Sequence, residues 1–205
     1  MHKEILSDQQ IKLLPLISEF SKEYYLVGGT AVALHIGHRQ SIDFDLFTEY
    51  PIKRKQIRNI IERMGWQPDR IIYEAYDQMH LIIRDIKITF FQYPHTIHAE
   101  LKFDNIINMP ELIDLAAMKA YALGGRAKWK DYVDLYFLLK DHFSFREISD
   151  RATKLFKGYY NEKLFKEQLS WFKDIDYSES ITYLVKEPEE EEIKLFLQDI
   201  ATQAF

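Results

Sequence analysis

The stretch that decides the fold is Leu26-Val27-Gly28-Gly29-Thr30-Ala31, followed one short helix later by Arg39-Gln40-Ser41-Ile42-Asp43-Phe44-Asp45-Leu46-Phe47. The first segment predicts a strand, a glycine turn and the start of a helix, and the second predicts a strand that carries two carboxylates. Side chains two residues apart on a strand point to the same side. We therefore expect Asp43 and Asp45 to face the same way, close enough to share one hard cation.

The paired glycines lie just upstream of these acids. Gly28 and Gly29 suit a tight turn whose backbone N–H groups approach a phosphate closely, and Asp43 and Asp45 offer the hard oxygen ligands that Mg²⁺ prefers. A phosphate-binding turn beside a metal-binding pair of carboxylates is the apparatus of nucleotidyl transfer. Two simpler interpretations stay open: the glycines form only a structural turn, and the acids are a solvent-facing pair on an alternating strand.

Composition narrows the class of protein. The chain has 205 residues, of which 47% are hydrophobic and 29% charged, values typical of a globular protein with a sizeable core. No segment offers the roughly 18 apolar residues of a membrane-spanning helix, and the N-terminus does not resemble a signal peptide. Cysteine is absent, which excludes disulfides and a cysteine nucleophile. We expect a cytoplasmic protein with no membrane association.

The charge balance bears on nucleic-acid binding. A net charge of −5 argues modestly against extensive nonspecific binding to nucleic acid. The acidic run at 187–192 is interpreted as the solvated start of a helix, where carboxylates face the positive end of the dipole. Two local basic patches remain candidates for contact with a short RNA end: Lys53-Arg54-Lys55 with Arg58, and Arg126 with Lys128 and Lys130.

Hydrophobic periodicity divides the chain into two parts. In the first part we predict helices near 7–20, 30–36 and 51–64, and strands near 24–27, 42–47, 70–76, 79–83 and 86–91. The last three strands form a meander that continues the sheet begun by the glycine strand. From Met109-Pro110 onward the pattern is helical. We therefore predict an α/β domain over residues 1–108 and a helical domain over residues 109–205 that packs against it.

Four segments occur along the chain in this order: Val27-Gly28-Gly29-Thr30-Ala31, residues 39–47, Asp114-Leu115-Ala116-Ala117-Met118-Lys119, and Arg126 with Lys130-Asp131-Tyr132-Val133-Asp134-Leu135. Taken together, they resemble the AbiEii/AbiGii toxin family of nucleotidyltransferases. The resemblance implies an α+β fold of the DNA-polymerase-β type: a mixed β-sheet flanked by helices, followed by a C-terminal helical domain. It also implies a place in a toxin–antitoxin or abortive-infection (phage-defence) system.

The same resemblance implies an activity. Characterised relatives transfer a nucleotide from a nucleoside triphosphate (NTP), with tRNA acceptor ends as one known substrate. An NTP, Mg²⁺ held by Asp43 and Asp45, an RNA acceptor and a cognate antitoxin protein are therefore the expected partners. The residues expected to bind the nucleotide are Gly28, Gly29, Thr30, Arg39, Ser41 and Arg126.

Lys119 and Asp131 complete the expected catalytic set with the acid pair. The family position of Lys119 implies contact with the β- and γ-phosphates, and Asp131 is expected to orient Lys119 or Arg126 through an ion pair. Alternatives stay open for each residue. Lys119 can snorkel to solvent, and Asp134 shares a helix face with Asp131.

Two residues near the glycine turn also have alternative interpretations. Thr30 offers a hydroxyl donor to the nucleotide, or it caps the following helix. Arg39 contacts phosphate or braces the acid pair, or it is a surface residue at the end of that helix.

One departure from the wider superfamily matters. Many of its enzymes carry a third carboxylate on a later strand, but the matching segment Lys87-Ile88-Thr89-Phe90-Phe91 has Thr89 at that place, and Asp85 lies at a predicted turn. The general base is therefore unassigned. Three hypotheses follow: a toxin-type nucleotidyltransferase; a catalytically inactive nucleotidyltransferase fold with a binding or regulatory role; and an aminoglycoside-type enzyme that uses a small-molecule hydroxyl as acceptor.

Overall fold

The computed structural model describes residues 1–203 and divides the chain into two compact units, Met1–Glu111 and Leu112–Phe205. The first unit contains three α-helices and seven strands, and the second contains five α-helices. The α-helices are α1 Asp8–Ser18, α2 Gly28–Ile36, α3 Arg54–Arg63, α4 Leu112–Leu123, α5 Trp129–Asp141, α6 Phe145–Phe156, α7 Glu162–Leu169 and α8 Glu190–Thr202. The strands are β1 Tyr25–Val27, β2 Phe44–Thr48, β3 Arg70–Glu74, β4 Gln78–Ile83, β5 Ile86–Gln92, β6 Leu101–Phe103 and β7 Ile107–Met109.

Five strands form one mixed sheet in the order β1-β2-β5-β4-β3. β2 and β5 are parallel, and the other neighbours are antiparallel. The predicted fold class, a mixed sheet with helices and then a helical region, is confirmed. The meander β3-β4-β5 joins the β1-β2 pair through β5, which pairs with β2. Within the meander, the two-residue turn Arg84-Asp85 returns the chain in register with β4. Both turn residues have positive φ, 52° and 65°, as in a type I′ hairpin turn.

The two faces of this sheet differ in chemistry. One face carries Phe44, Leu46, Leu81, Ile88 and Phe90, all fully buried. The Phe20 and Tyr24 rings pack edge-to-face on Phe90, with centroids 4.8 and 5.3 Å away. The period of two then places the intervening, more polar side chains on the opposite face. One face of the sheet is therefore packed into the core, and the opposite face carries the more polar side chains.

Three local features depart from the predicted elements. α2 begins at Gly28 rather than at Thr30, and β2 begins at Phe44, so that Asp43 directly precedes the strand. The hairpin β6–β7 was not predicted, although it buries Phe103 and Met109. The end of α2 agrees with the sequence, since Gly37 caps the helix in the left-handed conformation with φ of 68°.

In the second unit, aromatic contacts and an ion pair join the helices. Tyr121 of α4 stacks on Phe156 of α6 with ring centroids 4.2 Å apart, and Arg151 forms a bidentate ion pair with the buried Asp114. Tyr136 of α5 packs on Phe196 of α8 at 5.3 Å. None of the helices described for residues 1–203 is long and apolar enough to cross a membrane.

Candidate active site

The glycine turn and the second acid occupy the same place in the structure. Val27 is the cross-strand partner of Asp45 in the β1–β2 pair, and Gly28 follows it with φ of +73°. A Cβ atom added to Gly28 would lie 2.2 Å from Oδ2 of Asp45. Only glycine fits here, because the Asp45 carboxylate fills the space that any larger residue would need. The turn and the carboxylate therefore converge, as the sequence predicts.

The two acids lie on one face of the sheet. Asp45 is the parallel-strand partner of Thr89, and Phe44 is the partner of Ile88. Nζ of Lys87, two residues before Thr89 on β5, lies 3.0 Å from Oδ2 of Asp43. Because Lys87 and Thr89 point to the same side of β5, Asp43 and Asp45 also share that side. Lys87 was not singled out in the sequence, although the period of two along β5 could have identified it.

Arg39 and Ser41 lie against the second glycine. A Cβ atom on Gly29 would meet Nη2 of Arg39 at 2.6 Å and Oγ of Ser41 at 3.2 Å. Arg39 is only 1% exposed, and its Nη1 donates to the Gln40 carbonyl at 2.9 Å. The alternative of a surface arginine is therefore wrong. The guanidinium is a buried positive charge beside the turn.

Thr30 joins α2 to the segment that leads into β2. Its hydroxyl is buried, donates to the Asp43 carbonyl and lies 2.9 Å from Oγ of Ser41. It does not cap α2, whose N-cap position is Val27. A hydroxyl has one proton to donate, and in this structure the Thr30 proton is used within the protein. The visible role of Thr30 is to position Asp43.

His80 lies on the same face as the acids and was not singled out in the sequence. It is the antiparallel partner of Thr89 in the β4–β5 pair, and the Tyr73 ring on β3 lies 5.5 Å from its ring. Burial and the nearby Lys87 ammonium lower the pKa of His80 below its ordinary value, although Asp45 acts in the opposite direction. The imidazole is therefore neutral near pH 7.

In the second unit, Lys119 is held between two carboxylates of α5. Its Nζ lies 2.6 Å from Oδ1 of Asp131 and 2.6 Å from Oδ2 of Asp134. The Lys119 side chain is 7% exposed, and those of Asp131 and Asp134 are 2% and 0% exposed. Lys119 therefore does not snorkel to solvent, and both acids contact it, whereas sequence reasoning favoured Asp131 over Asp134.

Arg126 completes this cluster. Its Nε donates to Oδ2 of Asp131 at 3.0 Å, and its side chain is 53% exposed. Burial opposes the ionisation of Asp131, but the charges of Lys119 and Arg126 outweigh it, so that the pKa of Asp131 lies below its ordinary value. The sequence predicted an ion pair of Asp131 with Lys119 or Arg126, and the structure shows Asp131 paired with both.

The two basic patches are partly neutralised. Lys128 and Lys130 both contact Glu179. Burial acts to raise the pKa of Glu179, but its hydrogen bonds to these two lysines outweigh burial and lower the pKa to about 2. In the other patch, Lys53 pairs with Glu23 at 3.0 Å and Arg58 pairs with Glu74 at 2.5 Å. Neither patch is a simple run of unbalanced positive charge.

Comparison with known proteins agrees with this fold. Residues 16–204 match the model of the family described as nucleotidyl transferase AbiEii toxin, type IV toxin–antitoxin system. An uncharacterized protein of Aquifex aeolicus (strain VF5) is 30% identical over 181 residues, which cover 86% of this chain and 85% of that protein.

Two solved structures share the fold. The nucleotidyltransferase toxin MenT4 from Mycobacterium tuberculosis superposes with a TM-score of 0.64 at 13% identity, over 94% of this chain and 81% of MenT4. JHP933 from Helicobacter pylori superposes with a TM-score of 0.57 at 17% identity, over 96% of this chain and 91% of that chain. The family match extends over nearly the whole sequence. This chain therefore belongs to the AbiEii nucleotidyltransferase toxin family of type IV toxin–antitoxin systems.

Proposed function

We propose that this protein transfers a nucleotide from an NTP to an acceptor hydroxyl, with Mg²⁺ held by Asp43 and Asp45. The observation that carries the proposal is the packing of the Asp45 carboxylate against Gly28, where an added Cβ would lie 2.2 Å from Oδ2. A triphosphate bound at the glycine turn would meet the carboxylate pair directly.

The donor set fits a magnesium ion. Asp43 and Asp45 offer carboxylate oxygens on one face of the sheet, and Mg²⁺ in phosphoryl-transfer sites is commonly held by one or two carboxylates together with substrate phosphates. No group of three or more His, Asp or Glu side chains among residues 1–203 is arranged to hold a metal ion. Two carboxylates are enough for a Mg²⁺ ion whose other ligands are triphosphate oxygens and water. When bound, Mg²⁺ would supply neutralisation of charge on the triphosphate and on the leaving pyrophosphate.

The residues around the turn would bind and orient the phosphates. The first backbone N–H groups of a helix have no partner within the helix, so the N-terminus of α2 favours a phosphate. The Arg39 guanidinium beside Gly29 adds positive charge in a buried setting, where electrostatic attraction is strong. The acceptor oxygen then attacks the α-phosphorus in line, and the pyrophosphate leaves with the electrons of the broken P–O bond.

Roles in the second unit follow from the family resemblance. We propose that Lys119 contributes its charge to triphosphate binding and that Asp131 fixes the direction of the Lys119 and Arg126 side chains. The contacts that support this proposal are the 2.6 Å pair of Lys119 with Asp131 and the 3.0 Å pair of Arg126 with Asp131. The half-exposed guanidinium of Arg126 is the accessible charge of the cluster.

For the acceptor we propose a tRNA 3′ end, and for the regulatory partner a cognate antitoxin encoded by an adjacent gene. Membership of a toxin–antitoxin family supports the antitoxin, and the proposal of a tRNA acceptor rests on the resemblance to relatives that use tRNA acceptor ends. A small neighbouring reading frame with a DNA-binding pattern would identify the antitoxin candidate.

The test is nucleotide incorporation by purified protein. Each α-labelled NTP is incubated with Mg²⁺ and total tRNA, and a parallel set replaces tRNA by aminoglycosides. Asp45→Asn should abolish incorporation, whereas Asp141→Asn, at an exposed position at the end of α5, should retain it. Equal incorporation by wild type and Asp45→Asn would reject the proposal, and labelled aminoglycoside without labelled tRNA would reject the RNA acceptor.

A second candidate function rests on Thr89. Thr89 pairs with Asp45 across β2 and β5, and the resemblance implies that many enzymes of the wider superfamily carry a third carboxylate on this strand. A fold without that acid could bind NTP and act only as a regulatory subunit. Calorimetric titration separates the two functions, because tight NTP binding without turnover on any acceptor favours the regulatory role.

A further inference from the structure

The sheet face that carries the acids also carries the His80 imidazole, and no general base has been assigned to the proposed reaction. We propose that His80 accepts the proton of the attacking acceptor hydroxyl, in place of a third carboxylate. This inference rests on the proposed function, since it assigns a base to the same reaction.

The first support is the register of the strands. His80 is paired with Thr89 on β5, and Thr89 is paired with Asp45 on β2. The three residues therefore lie in one row across the sheet, on the same face, with neighbouring strands about 4.8 Å apart. Directly opposed side chains on antiparallel strands have Cβ atoms about 5 Å apart. His80 is thus the next side chain beyond the position where the third acid is expected.

The second support is the tautomer. Nε2 of His80 lies 3.0 Å from Oε1 of Gln78. An amide oxygen can only accept a hydrogen bond, so Nε2 carries the proton and Nδ1 carries the lone pair. This is the only hydrogen bond that the His80 ring makes within residues 1–203. In this tautomer Nδ1 is the basic nitrogen of the ring.

The third support is the charge state of the ring. The groups that face His80 are Tyr73 from β3, Lys87 from β5 and, one strand further, Asp45 from β2. Burial and Lys87 together keep the imidazole neutral near pH 7, so that it can accept a proton.

The acceptor oxygen forms its bond to the α-phosphorus of the NTP while its proton moves to Nδ1 of His80. The bond between the α-phosphorus and the bridging oxygen breaks, and the pyrophosphate leaves with that electron pair. The imidazolium afterwards loses its proton to water, which regenerates the neutral ring.

The experiment compares wild type, His80→Gln, the double variant His80→Gln with Thr89→Asp, and the control His98→Gln, whose residue is exposed. Incorporation rates are measured from pH 5 to 9 with saturating Mg²⁺, using the NTP and acceptor found with wild type. His80→Gln should lower kcat/KM by about 10²–10⁴-fold, the usual contribution of a general base. It should also remove the acid limb of the wild-type profile, which lies below pH 6.5. NTP affinity by calorimetry should stay within threefold of wild type.

The double variant supplies the carboxylate at the place where relatives carry it, and it should recover at least tenfold over His80→Gln. His98→Gln should behave as wild type. An undiminished rate in His80→Gln, or a reduced rate with the acid limb intact, would overturn the role of His80.

Two results with the wild-type protein also bear on His80. A wild-type profile without an acid limb overturns it even if His80→Gln fails to fold. Absence of Asp45-dependent incorporation in wild type instead overturns the proposed function itself, and the role of His80 falls with it.

Discussion

Gly28→Ala tests whether the Asp45 carboxylate lies against the glycine turn. The substitution has two separate costs. The backbone at Gly28 has φ of +73°, and a non-glycine residue in the left-handed region costs about 1–2 kcal/mol. The new Cβ would also lie 2.2 Å from Oδ2, 3.1 Å from Cγ and 3.2 Å from Cβ of Asp45. Overpacking of this kind costs a further ~1–3 kcal/mol, so we expect a total loss of about 2–5 kcal/mol.

Removing the carboxylate separates these two costs. In an Asp45→Ala background, the two atoms nearest to the new Cβ are gone and only the approach to the residue 45 Cβ at 3.2 Å remains. The cost should therefore fall close to the backbone cost of about 1–2 kcal/mol. The double-mutant cycle should therefore give a coupling free energy of about 1–3 kcal/mol between residues 28 and 45. The single effect of Asp45→Ala cancels in the cycle, whatever its sign.

Gly65 supplies a matched control for the backbone cost. Its φ is +76°, nearly that of Gly28, but an added Cβ would meet no atom within 4 Å. Gly65→Ala should therefore cost about 1–2 kcal/mol, with the same value in the wild-type and the Asp45→Ala backgrounds.

The assay is equilibrium urea denaturation of these variants, followed by circular dichroism, with free energies of unfolding obtained by linear extrapolation. If Gly28→Ala costs the same in both backgrounds, the Asp45 carboxylate does not fill the space beside the turn. The observation on which the proposed function depends would then be lost.

Three other substitutions have defined expectations. Lys119→Met leaves the buried Asp131 and Asp134 without their shared cation and should destabilise the protein by about 3–5 kcal/mol; thermal melting checks this, and an unchanged Tm contradicts the buried pairing. Thr30→Val should cost about 1–3 kcal/mol in urea denaturation, because the segment before β2 loses its hydrogen-bond donor; no loss would contradict that contact. Because the pKa of Glu179 is lowered from 4.5 to about 2, its ion pairs stabilise the folded protein above pH 4.5, and this stabilisation is lost as the pH falls through 2. The Tm difference between wild type and Glu179→Gln should therefore close over that range, and a constant difference would refute the linkage.

The local elements of this fold could be predicted because their signals are local. Alternation gave β4 and β5, Gly37 marked the end of α2, and Arg84-Asp85 marked the hairpin turn. The convergence of Asp45 on the turn was also predictable, since a short helix between two strands returns the chain to its starting edge of the sheet. Each of these inferences uses residues fewer than twenty positions apart.

The rest depends on long-range pairing, which periodicity does not encode. The parallel pairing of β2 with β5 joins residues more than forty positions apart, and it alone places Lys87 beside Asp43. The row of His80, Thr89 and Asp45 follows from that pairing and from the β4–β5 register. The sequence left a surface position open for Arg39, because no local pattern shows that its guanidinium lies against Gly29, where an added Cβ would meet Nη2 at 2.6 Å.

The acid pair illustrates how the sheet holds destabilising groups where chemistry needs them. Two carboxylates on one face repel each other, and in this structure the Lys87 ammonium, 3.0 Å from Asp43, offsets part of that repulsion. A divalent cation shared by both acids would offset their repulsion more strongly, and Asp43 would then no longer need the ion pair with Lys87. The apolar face beneath, with Phe44, Leu46 and Phe90 fully buried, stabilises the strands independently of that exchange. Charge can therefore be rearranged on one face without loosening the packing on the other, which is what a site that binds and releases a metal–triphosphate requires.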